Sequence, residues 1–340
     1  SWTSPDTVGA GLGIAPRIYP ITDQLWFALN GTGSAQQASG PGRRTKDGGD
    51  TWGDTPDPRP AGDGIVQFAL DAGGRIWCAV PHSSKVYVYW SNDEGDTWNL
   101  SRTIDDASFN AVWKILPHPT NQNTIAVISY TTTPQEGAIN YTLDRGSTWN
   151  SNRTSDLYRW TASVNLYYDA VLLSNNRIVA IGPLAASGGS PLWRVIYSDD
   201  WGANWSVAFS VAGSGVRFSN LFVSPGGARL GFVYVEDRTA SPGDWHLALS
   251  TNGGSAFSVT ALATELETLW TTDVDDDGFL STMSPERDAL YCILRKGAVP
   301  QAFRLTPISA AGVWTDITTD LDAALDYNFK GMAVIPRVGA

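Results

Sequence analysis

An all-β chain built from repeated four-stranded sheets is the fold class that this 340-residue sequence predicts, on three observations. Its composition suits pleated strands and turns. Only 17% of residues are charged, Gly reaches 34 and Trp 15, and Thr, Ser, Val and Tyr are prominent where helical surfaces would carry Glu, Lys and Ala. One eight-residue phrase recurs five times. Each copy also stands at the same place within a set of four strand-like runs.

The phrase reads TKDGGDTW (45–52), SNDEGDTW (91–98), TLDRGSTW (142–149), SDDWGANW (198–205) and STNGGSAF (250–257). Its third positions are Asp47, Asp93, Asp144, Asp200 and Asn252, separated by 46, 51, 56 and 52 residues. Periods of this size signal a solenoid or a propeller. The chemistry is that of a tight hairpin turn. A short Asp or Asn side chain accepts hydrogen bonds from nearby backbone N–H groups. The Gly two residues later supplies a positive φ without steric cost. The closing Trp52, Trp98, Trp149, Trp205 or Phe257 can fold back as an apolar plug between neighbouring sheets. These five acidic or amide residues are therefore structural, not catalytic.

Around each phrase the strand order repeats. IVQFALD, RIWCAV, VYVYWSND and WNLSRTI form the second repeat; AVWKILPH, TIAVISY, AINYTLD and WNSNRTS form the third; DAVLLS, RIVAIG, WRVIYSD and NWSVAFSV form the fourth. Four short strands per ~50 residues, with turn signals between them, is the signature of a β-propeller blade. A sixth repeat, FLSTMSP, DALYCILR, PQAFRLTP and VWTDIT, has Lys296, Gly297 and Ala298 where the phrase would be. The expectation is a single domain, 1–340, forming a six-bladed propeller of four-stranded antiparallel blades, with segments 1–11 and 320–340 closing the ring. Seven blades is the alternative, because FKGMAVIP (329–336) adds one more inner-strand pattern.

Ser/Thr-x-Asp-x-Gly-x-Thr-Trp between the third and fourth strands resembles the Asp-box, or BNR, repeat of sialidases and related extracellular propellers, over about residues 12 to 319. Sialidases of this kind hold a substrate carboxylate with three arginines, use a Tyr nucleophile paired with a Glu, and use an Asp as general acid. In PRIYP, Arg17 and Ile18 match the first arginine of an Arg-Ile-Pro motif, with Tyr19 intervening before Pro20. Arg295 and Tyr327 stand where the third arginine and the tyrosine are expected. The acids are missing: 24–46 and 201–235 contain no Asp or Glu. A tyrosine without its carboxylate partner is a poor nucleophile at neutral pH, since its pKa is near 10. The resemblance thus implies a sialidase-like scaffold with at most remnants of the site, and the expectation is that no catalytic residue is present.

Other chemistries are also constrained. A formal net charge of −11 with scattered basic residues argues against a nucleic-acid partner. No apolar run approaches the ~20 residues of a membrane span. Cys78 and Cys292 lie in apolar strand patterns and read as small core residues. His82, His118 and His246 share no metal-ligand spacing, and His82 and His118, each after a Pro at a strand end, read as loop surface. Asn-x-Ser/Thr sequons begin at Asn30, Asn99, Asn140, Asn152 and Asn204. The run DVDDDGFLS (273–281) offers a Ca²⁺ loop, with Asp273, Asp275 and Asp277 alternating ahead of Gly278. Alternate carboxylates in a tight loop can converge on a hard cation, although the twelfth position is Ser284 instead of a bidentate Glu.

Three functional classes follow. The first is a non-catalytic extracellular or surface propeller that binds glycans or other protein subunits. The second is a sialidase-like or other glycoside hydrolase. The third is a structural subunit of a virion or cell-surface appendage. Tryptophans in connections between blades, such as Trp160 and Trp270, suit stacking on sugars or anchoring a partner. The expected localisation is extracellular, at a cell surface or on a virion.

Overall fold

Continuous apolarity in second strands, together with inside–outside alternation in some of the third strands, shapes how this chain folds. The computed structural model describes residues 17–22, 24–29, 43–54, 67–82, 85–105, 109–131, 136–157, 169–184, 192–213, 216–224, 229–236, 245–261, 280–284, 289–296, 299–308 and 313–316. These form six antiparallel sheets. The first holds β1 (Arg17–Pro20), β2 (Trp26–Leu29), β3 (Arg43–Thr45) and β4 (Gly53–Asp54). The second holds β5 (Gln67–Leu70), β6 (Ile76–His82), β7 (Lys85–Ser91) and β8 (Asn99–Ile104). The third holds β9 (Phe109–Pro117), β10 (Ile125–Thr131), β11 (Gly137–Thr142) and β12 (Asn150–Thr154). The fourth holds β13 (Asp169–Leu172), β14 (Ile178–Leu184), β15 (Leu192–Ser198) and β16 (Ser206–Ala212).

In the fifth sheet the first strand is split into β17 (Arg217–Phe218) and β18 (Phe222–Val223), both pairing β19 (Leu230–Val235), followed by β20 (Trp245–Ser250) and β21 (Ser258–Ala261). The sixth holds β22 (Leu280–Ser284), β23 (Ala289–Lys296), β24 (Val299–Thr306) and β25 (Val313–Asp316). Every sheet runs first to fourth strand in chain order, so each is a meander. No helix long and apolar enough to cross a membrane occurs among the described residues.

Burial falls from the second strand to the fourth. All of β19 is buried, as is β6 up to Pro81. Such strands are covered on both faces by neighbouring sheets, which explains why they read as unbroken apolar runs. The third strands β7 and β15 alternate, with Val86, Val88, Trp193 and Val195 inward. The outermost β8, β16 and β21 are mostly exposed.

The core therefore lies between sheets. The chain divides into two compact units: Ser1–Arg159 with Ser174–Asn176 and Asp200–Asn204, and Trp160–Leu173 with Arg177–Asp199 and Trp205–Ala340. Within the first unit, Trp77, Ala79 and Val88 of the second sheet pack with Ile115, Ile125 and Val127 of the third. Within the second unit, Val179, Trp193 and Val195 of the fourth sheet pack with Phe218, Phe232 and Tyr234 of the fifth, and Val233 and Leu247 of the fifth pack with Leu290 and Phe303 of the sixth. Cys78 and Cys292 are both buried core residues.

The repeated turns join consecutive strands three and four and also rest on the preceding sheet. A Cβ on Gly95 would meet Phe27 Cζ of the first sheet at 2.9 Å, one on Gly146 would meet Trp77 Cη2 of the second at 2.9 Å, and one on Gly254 would meet Val179 Cγ2 of the fourth at 2.7 Å. These glycines also take φ values of +83°, +90° and +78°, which L-residues adopt only at a cost. The closing aromatics lie between sheets as expected: Trp98 is 6.2 Å from Phe27 of the first sheet and 6.0 Å from Phe68 of the second, and Trp149 meets Trp77 edge-on at 6.3 Å. They are only partly buried. At Gly95, Gly146 and Gly254 the neighbouring sheet leaves no room for a Cβ.

A further grip falls on one backbone atom. The carbonyl of the fourth turn residue accepts a hydrogen bond from a side chain of the preceding sheet at four junctions. Arg44 Nη1 donates to Glu94 (2.7 Å), Arg75 Nη1 to Arg145 (3.1 Å), Asn152 Nδ2 to Trp201 (3.1 Å) and Arg177 Nη1 to Gly253 (3.1 Å). The arms are themselves braced. Arg75 lies over the Trp90 ring at 4.0 Å and Arg177 over Tyr197 at 4.4 Å, while Trp201 stacks on Tyr141 at 4.8 Å.

Two substitutions test this account by chemical denaturation. Gly95→Ala is expected to lower stability by about 1–3 kcal/mol through backbone strain, with the Phe27 contact adding to it. Trp77→Ala, which empties a fully buried site shared by two sheets, is expected to cost about 3–5 kcal/mol. An unchanged midpoint for Gly95→Ala would contradict the close approach described.

Candidate functional site

Each repeated turn is built on a hydroxyl, not on its carboxylate alone. Thr45, Ser91, Thr142, Ser198 and Ser250, the first residues of the five turns, are all buried. The Ser91 hydroxyl donates to Asp93 Oδ1 (2.7 Å) and accepts the N–H of Gly95 (2.8 Å). Thr45 does the same with Asp47 (2.6 Å) and Gly49 (2.9 Å), Thr142 with Asp144 (2.8 Å) and Gly146 (2.8 Å), and Ser250 with Asn252 (2.8 Å) and Gly254 (2.9 Å).

The carboxylate then reaches forward. Oδ1 of Asp47, Asp93, Asp144 and Asp200 accepts the N–H four residues on, at 2.8–2.9 Å. Oδ2 of Asp93 and Asp144 accepts the hydroxyls of Thr97 and Thr148 at 2.6 Å, and Oδ2 of Asp200 accepts Asn204 Nδ2 at 2.7 Å. At the fifth turn Asn252 Oδ1 accepts the Ala256 N–H at 3.1 Å.

Hydrogen bonds that favour the charged form lower a carboxyl pKa. The Thr97 hydroxyl, then the Thr97 N–H and the Ser91 hydroxyl, bring Asp93 to about 2. Thr148 leads the same effect on Asp144, also to about 2, and the Thr45 hydroxyl leads it on Asp47, to about 2. Acids held ionised in this way have no proton to donate near neutrality.

At the opposite end of the sheets lie the starts of the first strands and the hairpins between second and third strands. Arg17 is the first residue of β1, opposite Leu29. Arg295 lies instead on the second strand of its sheet, in β23 opposite Pro300. Tyr327 is outside the described residues, as are Asp273, Asp275 and Asp277, Trp160 and Trp270. The described structure therefore places Arg17 and Arg295 at different ranks of their sheets. Among the described residues no group of three or more His, Cys, Asp or Glu is arranged to hold a metal.

The structure also picks out residues that pattern reading passed over. Asp169 opens β13 and Arg217 opens β17, the positions in their sheets that Arg17 takes in the first. Asp169 is the one acid on a first strand among the described residues. Its Oδ1 accepts the Ala170 N–H and its Oδ2 the Leu221 N–H, both at 2.9 Å. Listing the first polar residue of each first strand would have found both.

The fifth sheet carries a Tyr–Glu pair, the combination that the sialidase resemblance called for. Tyr234 is buried within an aromatic cluster, 5.4 Å from the Phe218 ring and stacked on His246 at 4.8 Å. Burial, with Glu236 adding to it, pushes the Tyr234 phenol up to about 12. That is the reverse of activation. Glu236 Oε1 lies 3.7 Å from His246 Nε2, and neither nitrogen of that ring makes a hydrogen bond.

His118, expected on a loop surface, is 4% exposed. The neighbouring turn at Ser174 covers it, and its Nε2 lies 3.2 Å from the Ser174 carbonyl. Three of the described sequon asparagines have committed amides. Asn140 Nδ2 donates to Ser129 (3.0 Å), Asn152 to the Trp201 carbonyl and Asn204 to Asp200, whereas Asn99 is exposed.

No family model matches the sequence, and no curated protein resembles it in sequence. Solved structures do resemble its fold. A GH74 xyloglucanase from Xanthomonas campestris superposes with a TM-score of 0.54 at 14% identity, covering 86% of this chain and 45% of its own. This chain thus spans less than half of that enzyme. YCF48 from Cyanidioschyzon merolae gives a TM-score of 0.50 at 13% identity, covering 89% and 85% of the two chains. The β-propeller domain of the Trilobed protease from Pyrococcus furiosus gives 0.50 at 7% identity, covering 85% and 81%. Together with the six meander sheets, this likeness makes the chain a six-bladed β-propeller.

The turn carboxylates set an acid limit. Their pKa of about 2 in the folded chain lies below the ordinary 3.8, so their stabilisation is complete above pH ~4 and is lost as the pH falls through about 2. Thermal unfolding followed between pH 5 and 2 is expected to show the midpoint dropping through this window. In Asp93→Asn, which copies the residue at the fifth turn, the drop is expected to be shallower. A variant curve parallel to that of the parent would contradict the assignment.

Proposed function

We propose that this chain is a non-catalytic propeller module that acts outside the cell, that its repeated turns are Asp-box turns, and that it binds glycans or joins an assembly of protein subunits. The commitment of its acids carries this reading. Asp47, Asp93 and Asp144 are held ionised within their turns. Asp169 spends both oxygens on backbone N–H groups. Tyr234, the tyrosine beside a glutamate, has its phenol pushed up to about 12. A general acid needs a proton to give near the working pH, and a tyrosine nucleophile needs a phenolate within reach. The hydrogen-bonded turns and the recurrence of the Ser/Thr-x-Asp-x-Gly phrase support the Asp-box assignment and, through it, an extracellular setting.

A second reading, a glycoside hydrolase of another type, has one observation in its favour. Asp169 opens a first strand, and the xyloglucanase that this chain resembles in fold is an enzyme. Incubating the purified chain with a fluorogenic sialoside and with xyloglucan separates the two readings, while a glycan array and the mass in solution report on binding and assembly. The expected outcome is no hydrolysis above the buffer rate, together with either retained glycans or a defined multimer. Turnover that Asp169→Asn abolishes would replace the binding reading with the hydrolase one, and sialoside turnover lost in Tyr327→Phe would restore sialidase chemistry.

A further inference from the structure

The turn between the first and second strands has the same need in four of the described sheets: a side-chain acceptor for backbone N–H groups that the strand ladder leaves open. Four described sheets meet that need with four different residues. In the first, Thr22 Oγ1 accepts the N–H of Leu25 (2.9 Å). In the second, Asp71 Oδ1 accepts those of Gly73 (2.8 Å) and Arg75 (2.9 Å). In the fifth, Ser224 Oγ accepts that of Arg229 (2.8 Å). In the third the acceptor is His118, whose Nδ1 accepts the N–H of Asn121 (2.9 Å) and of Thr120 (3.2 Å). A hydroxyl accepts at any pH, and a carboxylate accepts at any pH above its low pKa. An imidazole nitrogen accepts only while it is unprotonated.

The two backbone donors on Nδ1 fix the tautomer. The proton of the neutral ring must lie on Nε2, which donates to the Ser174 carbonyl at 3.2 Å. The ring is thus a strut between its own turn and the Ser174–Asn176 turn, which belongs to the same compact unit. The groups facing it are the Thr120 and Asn121 N–H donors from its own turn and the Ser174 carbonyl from the other. Neither of the influences on its protonation is a charged side chain: burial lowers its pKa, and the Ser174 carbonyl opposes that with a smaller effect. The same turn also supports the third repeated turn, because the Asn123 carbonyl accepts the Arg145 N–H at 2.8 Å.

We propose that His118 is an acid-sensitive latch: protonation of Nδ1 breaks both backbone hydrogen bonds and releases the His118–Thr124 and Ser174–Asn176 turns together, while the rest of the propeller stays folded. The proton taken up at Nδ1 comes from solvent, and a ring protonated there faces two N–H donors with no acceptor left to offer. The open turn protonates near the ordinary 6.5, above the latched form, so the latch is fully stabilising only above that pH and weakens as the pH falls below it.

Hydrogen exchange at pH 7.5 and pH 5.0, corrected for intrinsic rates, tests this on the whole chain. The opening constant of segments 118–124 and 173–177 is expected to rise by up to about thirtyfold at pH 5.0, with the second strands unchanged. In His118→Asn, whose amide oxygen accepts at every pH as Thr22 and Ser224 do, protection in 118–124 is expected to be the same at both pH values. Equal protection of the parent at both pH values would overturn the latch, and so would an undiminished pH effect in His118→Asn. These changes fall well above the window of the turn carboxylates, so the two acid responses are separable in one titration.

Discussion

A buried hydroxyl facing a backbone N–H on one side and a carboxylate on the other is the contact on which this architecture turns. In Thr45, Ser91 and Thr142 it lies at the last residue of a third strand, where the chain must leave the ladder and come back as a fourth. Burying a hydroxyl without partners would cost on the order of 1–3 kcal/mol. With both partners present, the same group dictates where the chain reverses. It draws in the glycine N–H and so holds the glycine in a left-handed conformation, at Gly95 and Gly146 against an aromatic side chain of the sheet before. Local turn chemistry and packing between sheets are therefore one constraint, repeated with small variations. The sheets need each other because their second strands are apolar on both faces, and the turn sets how close they come.

Much of this was legible in the sequence. The period, the four strand-like runs per repeat, the positive φ of Gly49, Gly95, Gly146, Gly202 and Gly254, and the buried cysteines all follow from residue types at fixed offsets. The hydroxyl hub was written in the first position of the phrase, but its burial was hidden, because Ser and Thr carry no periodic signal of their own. The grips on the fourth turn residue were not legible at all. Arg44 is on a third strand, Asn152 on a fourth, and Arg75 and Arg177 just before second strands. All four share a target in space, but only Arg75 and Arg177 share a place in the repeat, one residue before the second strand.

The candidate functional end shows the same division. Arg17 stood out through the dipeptide around it, whereas Asp169 and Arg217 have nothing in sequence to mark them except their rank as openers of a first strand. His118 misled for a physical reason. A Pro-His pair at a strand end usually faces water, and here the covering surface comes from a turn 56 residues further along the chain. Burial imposed by a neighbour distant in sequence escapes any local pattern. Comparing the four turn acceptors, Thr22, Asp71, His118 and Ser224, brings it out, because their backbone task is the same and their chemistry is not.

The side chains that seize the fourth turn residue bear on how such a chain can change over evolutionary time. Duplication of a repeat is the simplest way to build a propeller, and freshly copied blades would be interchangeable. These are not. Between the first and second blades the key is Arg44 on a third strand, between the third and fourth it is Asn152 on a fourth strand, and Arg75 and Arg177 reach from the edge of a second strand. Each lock is a bare carbonyl, which is open to any donor, so the individuality lies in the key, which an aromatic ring steadies at Arg75 and Arg177. A blade moved to another place in the order would still bring a usable lock, and the second and fourth blades would bring equivalent keys, Arg75 and Arg177. A cut at a blade boundary separates each arm from the turn it holds, whereas a cut inside a blade carries the two along together.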